Sequence, residues 1–356
     1  MAGYRTMMAL LLTVGIVFQL SESRVTCRND EGNEVDWYIL YKLPLGHSDN
    51  GLSYLYMDES TDGWEISKNT IDSSSGTLAN TLEPLLDFYV RKTEGFGYIL
   101  YNDQLKKTVS SSFGHSKGVV MLDRATGVWL SHSTPKFPTD QSKSFWPESG
   151  NVNGQTFLCV TYSYGTFKEI GLQLMYIHPY AYDYDIPQTF HMELQKVAQN
   201  TGYPGEDPFF RVKDLRSEGE ELFLSFAKYT RFDDDLYSGL IVNVMPESLY
   251  VKGWGNEGRS VLLPSDCSTG TPHHVYNVKN VELLETVYSD TQDHSKWCVA
   301  PKNGWTCIAD LNRHESQKKR GGGAICIKDV AVAKAFRTTI KTYEPCPPVI
   351  PHSSEL

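Results

Sequence analysis

A tripeptide that occurs twice constrains this chain more than its composition does. His115-Ser116-Lys117 returns as His294-Ser295-Lys296, 179 residues later. Each copy follows a polar stretch and precedes a strand-like segment, Gly127–Ser133 (GVWLSHS) after the first and Trp305–Asn312 (WTCIADLN) after the second. Upstream, Trp37–Pro44 resembles Phe223–Thr230, with a similar offset when Lys42 is matched to Lys228. Two matches at similar offsets imply a duplicated chain. It should fold as two halves of roughly equal size, residues 24–182 and 183–356, with the Asp-, Pro- and Gly-rich stretch near Asp183–Asp207 as the seam.

Alternating stretches rich in aromatic and β-branched residues predict strands at Val35–Lys42, Leu52–Met57, Gly97–Tyr101, Gly118–Asp123, Gly127–His132, Phe157–Tyr162, Leu222–Tyr229, Ser238–Val244 and Trp305–Ala309. Helical spacing places Leu78, Leu82, Leu85, Leu86 and Tyr89 on one face of Leu78–Lys92. It does the same for Val332, Phe336, Ile340 and Tyr343 behind Asp329, a good N-cap. A third helix is expected at Phe167–Tyr176. Strands mixed with amphipathic helices give an α/β class with α+β mixed sheets, built here as two similar halves sharing one cleft.

Charge bears on the partner. Lys and Arg total 33 against 43 Asp and Glu, a formal net charge of -10 at pH 7. Such a chain holds a polyanion only if its basic groups gather in one cleft. Protonating all ten histidines would bring the balance to zero, so the charge favours nucleic-acid binding in an acidic compartment over a neutral one. The N-terminus reads as a signal peptide over residues 1–23: Arg5, the apolar run Met7–Leu20, then Ser21-Glu22-Ser23. That run is short of the ~20 apolar residues a membrane span needs, and no second run approaches it. Seven cysteines in an oxidising compartment predict three bridges and one odd thiol, and their spacing matches no zinc site. No Asn-x-Ser/Thr acceptor occurs, so N-glycosylation is not expected.

In a strand, positions i and i+2 share a face, so His115 projects with Lys117 and His294 with Lys296. If the halves meet about a pseudo-twofold axis, both pairs enter one cleft. One neutral imidazole can then attack phosphorus while the other, protonated, serves the leaving oxygen. The lysines would neutralise the growing charge, so no metal and no cofactor is expected. His132 and Ser133 in the first half, and Asp310 and Asn312 in the second, are candidate helpers that fix an imidazole or donate to phosphate.

These residues resemble the deoxyribonuclease II family. The resemblance runs through Val35-Asp36-Trp37, Tyr41-Lys42-Leu43-Pro44, Gly114-His115-Ser116-Lys117-Gly118, Trp129-Leu130-Ser131-His132-Ser133 and Phe137-Pro138. It continues through Leu224–Lys228, Asp234–Gly239, Asp293–Cys298 and Arg320-Gly321-Gly322-Gly323, and covers essentially the whole mature chain. It implies a phospholipase D-like pseudo-dimer that cuts double-stranded DNA at acidic pH without metal. It also implies 3′-phosphate ends and a lysosomal setting. By resemblance the catalytic positions are His115, Lys117, His132, His294 and Lys296; the resemblance favours His115 as nucleophile and His294 as acid, while the pseudo-symmetry of the two motifs leaves the reverse assignment open. The bridges implied are Cys27–Cys159, Cys267–Cys346 and Cys307–Cys326, leaving Cys298 free. Two departures stand out. The superfamily places an aspartate five residues beyond each lysine, where this chain has Leu122 and Pro301; and without a glycan acceptor, plain secretion gains weight as the alternative to lysosomal delivery.

Two rival readings share these residues: a phospholipase D-like phosphodiesterase acting on lipid headgroups, and a secreted toxin or binding protein with a vestigial site. Three other features read as structural. His273-His274 fits a loop, Asp233-Asp234-Asp235 a solvated turn, and Gly321-Gly322-Gly323 a tight turn beside the Cys307–Cys326 bridge.

Overall fold

The computed structural model describes residues 24–347, apart from 47–49, 106–110, 140–143, 256–257, 259 and 269–271. The expected signal peptide, residues 1–23, lies outside the described residues. Among those described, the fold is mixed α/β with three sheets. The smallest pairs Cys27–Arg28 with Glu34–Val35.

The two large sheets repeat one pattern. In the first, the antiparallel neighbours run Gly97–Asn102, Lys117–Leu122, Thr126–His132, Gln155–Ser163 and Trp37–Lys42. In the second, Leu249–Lys252, Trp297–Val299, Trp305–Ala309, Gly322–Lys328 and Leu222–Lys228 stand in the same spatial order, and the chain visits them in the same order. The fourth strand leads to a helix in each half, Phe167–Ile177 and Val330–Thr338. The second sheet departs from the first at one join, where Leu249–Lys252 pairs in parallel with Val275–Leu283.

These strands are buried on both faces, which is why WYILYK and KGVVML carry apolar groups almost continuously. One core is shared by both sheets. It joins Ile39, Trp129 and Val160 of the first half to Phe223, Trp297 and Ile325 of the second, with Phe167, Ile170 and Leu174 of the first helix among them. Each sheet has its own core on the opposite face. The first packs there on helix Thr77–Arg91 through Leu78, Leu82, Leu85 and Phe88; Leu86, expected on that face, is exposed.

Three other expectations are corrected. Ser238–Val244 is helical: Leu236–Ile241 and Val242–Val244 form one continuous turn segment whose Leu236, Leu240 and Ile241 reach the core, started by Asp235 accepting from the Ser238 N–H at 2.9 Å. The last helix is capped by Asp329, whose carboxylate accepts from Val332 N–H at 2.8 Å, but it stops at Thr338; Ile340 and Tyr343 lie in a strand paired with Val275–Leu283. The sheets also divide later than residue 182. Ala181–Asp185 is the edge strand of the first sheet, held by Tyr89 and Tyr98 hydroxyls on the Asp183 carboxylate, and the second sheet begins at Phe210.

Disulfides join Cys27 to Cys159, Cys267 to Cys346 and Cys307 to Cys326, while Cys298 is buried and unbridged. Cys298 faces Cys307 across the ladder, and Cys307 faces Cys326 on its other side.

The lysines that suggested the duplication are structural equivalents. Lys42 pairs in the ladder with Gln155 and Lys228 with Gly322, and both are fully buried. The Lys42 ammonium donates to the Asn151 and Asn153 carbonyls at 2.6 and 2.8 Å; that of Lys228 donates to Lys318 and Arg320 at 2.7 and 2.8 Å. Each anchors a loop to the end of its sheet. Replacing either lysine by Met leaves these carbonyls without a donor, at about 1–3 kcal/mol for each buried group. Equilibrium urea unfolding of Lys42→Met and Lys228→Met is expected to show similar losses, well above those of an exposed control such as Lys68→Met.

Candidate active site

The two His-x-Lys segments begin corresponding strands, and each is fastened to the opposite half. The His115 N–H donates to the Gly321 carbonyl at 2.9 Å, and the His294 N–H donates to the Gly154 carbonyl at 2.9 Å. Gly154 and Gly321 are equivalent positions, each preceding the fourth strand of its sheet. The backbones approach closely here. A Cβ at Gly114 or at Gly321 would stand 2.2 Å from the Ile177 carbonyl oxygen, so neither position admits a side chain without backbone movement.

The seam opens into a cavity of about 780 Å³ lined by His115, His294, Lys296, Asp103, Arg320 and Trp254, among others. His115 donates from Nδ1 to the Asp310 backbone carbonyl at 3.0 Å, which leaves Nε2 as the nitrogen with a free lone pair. Burial and then the Lys117 charge push its pKa well below 6.5. The Asp103 carboxylate collects two cationic groups, Lys117 at 2.7 Å and Arg320 at 3.1 Å, with His115 Nε2 standing 4.0 Å away. Burial works against its charge, but Lys117, His115 and Arg320 hold it well below the usual carboxylate range.

The second half is built differently. By register, Trp254 occupies the place of Asp103, and its ring lies 4.8 Å from that of His294. Burial and Lys296 push His294 down to about 3, while burial and Lys117 push Lys296 down to about 7. Beneath them Asp293 is fully buried, accepting from Tyr41 at 2.6 Å and Ser295 at 2.8 Å, with Lys252 3.4 Å away.

A family model described as Deoxyribonuclease II matches residues 26–346. The chain is 37% identical to human (Homo sapiens) Deoxyribonuclease-2-beta over 96% of its own length and 97% of that protein's. It is 38% identical to Deoxyribonuclease-2-alpha of Rattus norvegicus, covering 94% of this chain and 98% of the relative. It is 36% identical to Plancitoxin-1 of Acanthaster planci, covering 96% and 98%. The chain belongs to the deoxyribonuclease II family.

Within this family member, most residues expected from the sequence meet at one place. His115, His294, Lys296, Ser133 and Asn312 line the cleft, and Lys117 reaches it through Asp103. Ser133 donates to Gln155 at 2.5 Å, and Asn312 accepts from the Trp254 N–H at 3.0 Å. Asp310 takes a part that spacing did not suggest. It orients His115 of the opposite half through its main-chain carbonyl, while its carboxylate accepts from the Gly323 N–H at 2.8 Å. Burial raises that carboxyl to about 7 against the pull of Gly323 and both lysines. His132 is off the cleft wall, packed against Phe137 and Phe157 at 4.9 and 5.5 Å, with Nδ1 accepting from Thr134 N–H at 3.2 Å.

Sequence reasoning missed Asp103, Arg320, Asp293 and Trp254. It sought a carboxylate five residues beyond each lysine; Asp103 instead follows the neighbouring strand, where Asn102 faces Lys117. Arg320 had been read only as the start of a glycine turn. Gly322 and Gly323 are in fact strand residues. Asp235, expected in a solvated turn, is buried and paired with Arg313 at 3.2 Å. Among the described residues no three His, Cys, Asp or Glu side chains are grouped to hold a metal, His273-His274 included.

Asp103→Ala strands the buried Lys117 ammonium and the half-buried Arg320 guanidinium, and is expected to lower stability by about 3 kcal/mol and to abolish activity. Removing the charge on both sides separates the two effects. The double variant Asp103→Leu, Lys117→Met should regain most of the unfolding free energy and none of the activity.

Proposed function

We propose that this cleft hydrolyses double-stranded DNA by two successive displacements at phosphorus, without metal, leaving 3′-phosphate and 5′-hydroxyl ends. Family membership carries the enzyme class: the chain is a deoxyribonuclease, a hydrolase of DNA phosphodiester bonds. Relatives named for DNA cleavage favour DNA over a lipid ester. The observation that carries the mechanism is one imidazole and one lysine from each half around a single cavity, with the His115 tautomer set by a backbone carbonyl.

His115 Nε2 attacks phosphorus, the P–O5′ bond breaks, and protonated His294 delivers its proton to the departing O5′. The 3′ fragment is then held on His115 as a phosphohistidine. Neutral His294 takes a proton from water, the water oxygen attacks phosphorus, and the P–N bond breaks to release the 3′-phosphate. Lys296 and Arg320, on the cavity wall, supply the positive charge that faces the non-bridging oxygens. Lys117 stays paired with Asp103 and fixes the floor on which His115 stands.

The pH dependence has a definite sign. In the empty cleft His294 is neutral above about pH 3, so the acid needed for the first step must be protonated as the anionic phosphodiester binds. Each unit of falling pH favours that protonation. Lys296 and Asp310, both near 7, add to the effect: as pH drops below 7 the lysine gains its charge and the carboxyl loses its own. Stability moves the other way for the histidines. Their folded pKa values are depressed, so the unfolded chain protonates first and stability falls from about pH 6.5 downward. Plasmid nicking in excess EDTA is therefore expected to be strong near pH 5 and to fade through pH 7, with Lys296→Arg shifting the alkaline limb upward. Activity that vanishes in EDTA and returns with magnesium overturns the metal-free reading.

We place the protein in the lysosome, with secretion as the alternative destination, on the leader-like N-terminus, the three disulfides and the acidic operating range. Among the described residues no helix is long and apolar enough to cross a membrane.

The covalent step has its own test. His115→Ala and His294→Ala are each expected to lower kcat by at least about 1,000-fold, the scale of an acid–base or nucleophile contribution. A chiral phosphorothioate substrate should be hydrolysed with retained configuration. Inversion would rule out the phosphohistidine whatever the variants do.

A further inference from the structure

Beside the cavity, where the first sheet's edge meets the second half, a group of rings has no part in the chemistry above. Phe113 lies two residues before His115, its ring 4.9 Å from His178 and 5.1 Å from Tyr180. His178 is buried, and the Tyr203 ring is tilted against it with 3.9 Å between centroids. Tyr203 is nearly parallel to Tyr229, with 13° between the planes and 6.1 Å between centroids. Phe209 continues the row 6.4 Å from Tyr229, and the Arg231 guanidinium lies 5.6 Å from the Phe209 ring centroid. Phe113, Tyr180, Tyr203, Phe209 and Tyr229 are all partly exposed, and Arg231 is exposed.

This row is continuous with the cleft. Arg320, on the cavity wall, donates to the Phe113 carbonyl at 2.8 Å as well as to Asp103. The 317–320 segment, which supplies Gln317 and Arg320 to the cavity, is tied to the residues on either side of Tyr229, by Lys228 and by Thr230, whose hydroxyl donates to the Lys319 carbonyl at 2.6 Å. The platform and the reacting centre therefore share a rigid rim.

Exposed aromatic faces with an arginine among them suit a nucleobase, which offers a π-face of its own while its chain carries phosphates. Paired bases inside a duplex are already stacked and cannot use such a surface. We propose that the Phe113–Tyr203–Tyr229–Phe209 row is a stacking subsite for an unpaired nucleotide adjoining the phosphate held in the cleft. The proposal rests on the DNA-cleaving reading of the cavity. It extends the substrate to single-stranded, frayed or overhanging ends, which the row would hold through base stacking while Arg231 and Arg320 face the backbone.

The test compares a single-stranded oligonucleotide with supercoiled plasmid, using wild type, Tyr203→Leu, Tyr229→Leu and Tyr203→Phe. Loss of one ring is expected to raise KM for the oligonucleotide about tenfold with kcat unchanged, and to leave plasmid nicking as it was. Tyr203→Phe keeps the ring and gives up only the hydroxyl bond to the Asn200 carbonyl, so it should behave as wild type. A 2-aminopurine oligonucleotide, read by stopped-flow fluorescence before turnover, should be quenched by wild type and not by the leucine variants. An unchanged KM in folded leucine variants, an equal loss on both substrates, or an equal loss in Tyr203→Phe overturns the subsite. Failure of the wild type to cut either DNA strikes the reading of the cavity instead, and the fluorescence quench then decides the subsite by itself.

Discussion

Two backbone hydrogen bonds, from His115 to Gly321 and from His294 to Gly154, are the contacts on which the arrangement of the cleft depends. Each takes the histidine that begins one half's motif and hangs it on the glycine just before the fourth strand of the other. Main-chain groups buried at a seam must find partners, and here each finds one on the other sheet's side. Neither half could place its imidazole without its counterpart. The small residues at Gly114 and Gly321 follow from the same closeness, since both crowd the Ile177 carbonyl.

The shared core makes this seam rigid. Helix Phe167–Ile177 belongs to the first half yet packs among the strands of the second, and Phe336 of the second meets Trp64 of the first at 5.1 Å between rings. Two domains joined by a thin polar interface would be free to move relative to each other. Two sheets that share one apolar interior are not. Side chains on such a frame stay where strand ends put them.

The two sides of the cleft repeat one strand pattern and differ in their electrostatics. Where the first half carries Asp103, the second carries Trp254. A carboxylate beside His115 and Lys117 balances charge on that side. Lys296 has no ion pair so close among the described residues, and its ammonium donates only to the His294 carbonyl, at 3.1 Å. Burial and the neighbouring Lys117 charge bring it down to about 7.

Much of this could be read before any fold was known. The repeated His-Ser-Lys and the buried lysines Lys42 and Lys228 announced two halves, because equal sheets need equal residues at equal strand ends. Runs rich in aromatic and β-branched residues located six strands of the first sheet but, in the second, just Leu222–Lys228 and Trp305–Ala309, whose neighbours are shorter or lack such runs. Patterning failed at Ser238–Val244, where a short apolar run looks alike as strand or helix and the Asp235 cap decides. What the sequence by itself determined is a list of candidate groups and their repetition: two imidazoles and two lysines in matching tripeptides. Only the tertiary structure decided which groups stand beside them. Asp103 reaches Lys117 across a strand pair, Arg320 crosses from the other half, and His115 is oriented by the carbonyl of a residue 195 positions away. Spacing along a chain encodes neighbours on one strand or helix. Neighbours across a ladder or a seam depend on register and packing, which no local pattern specifies.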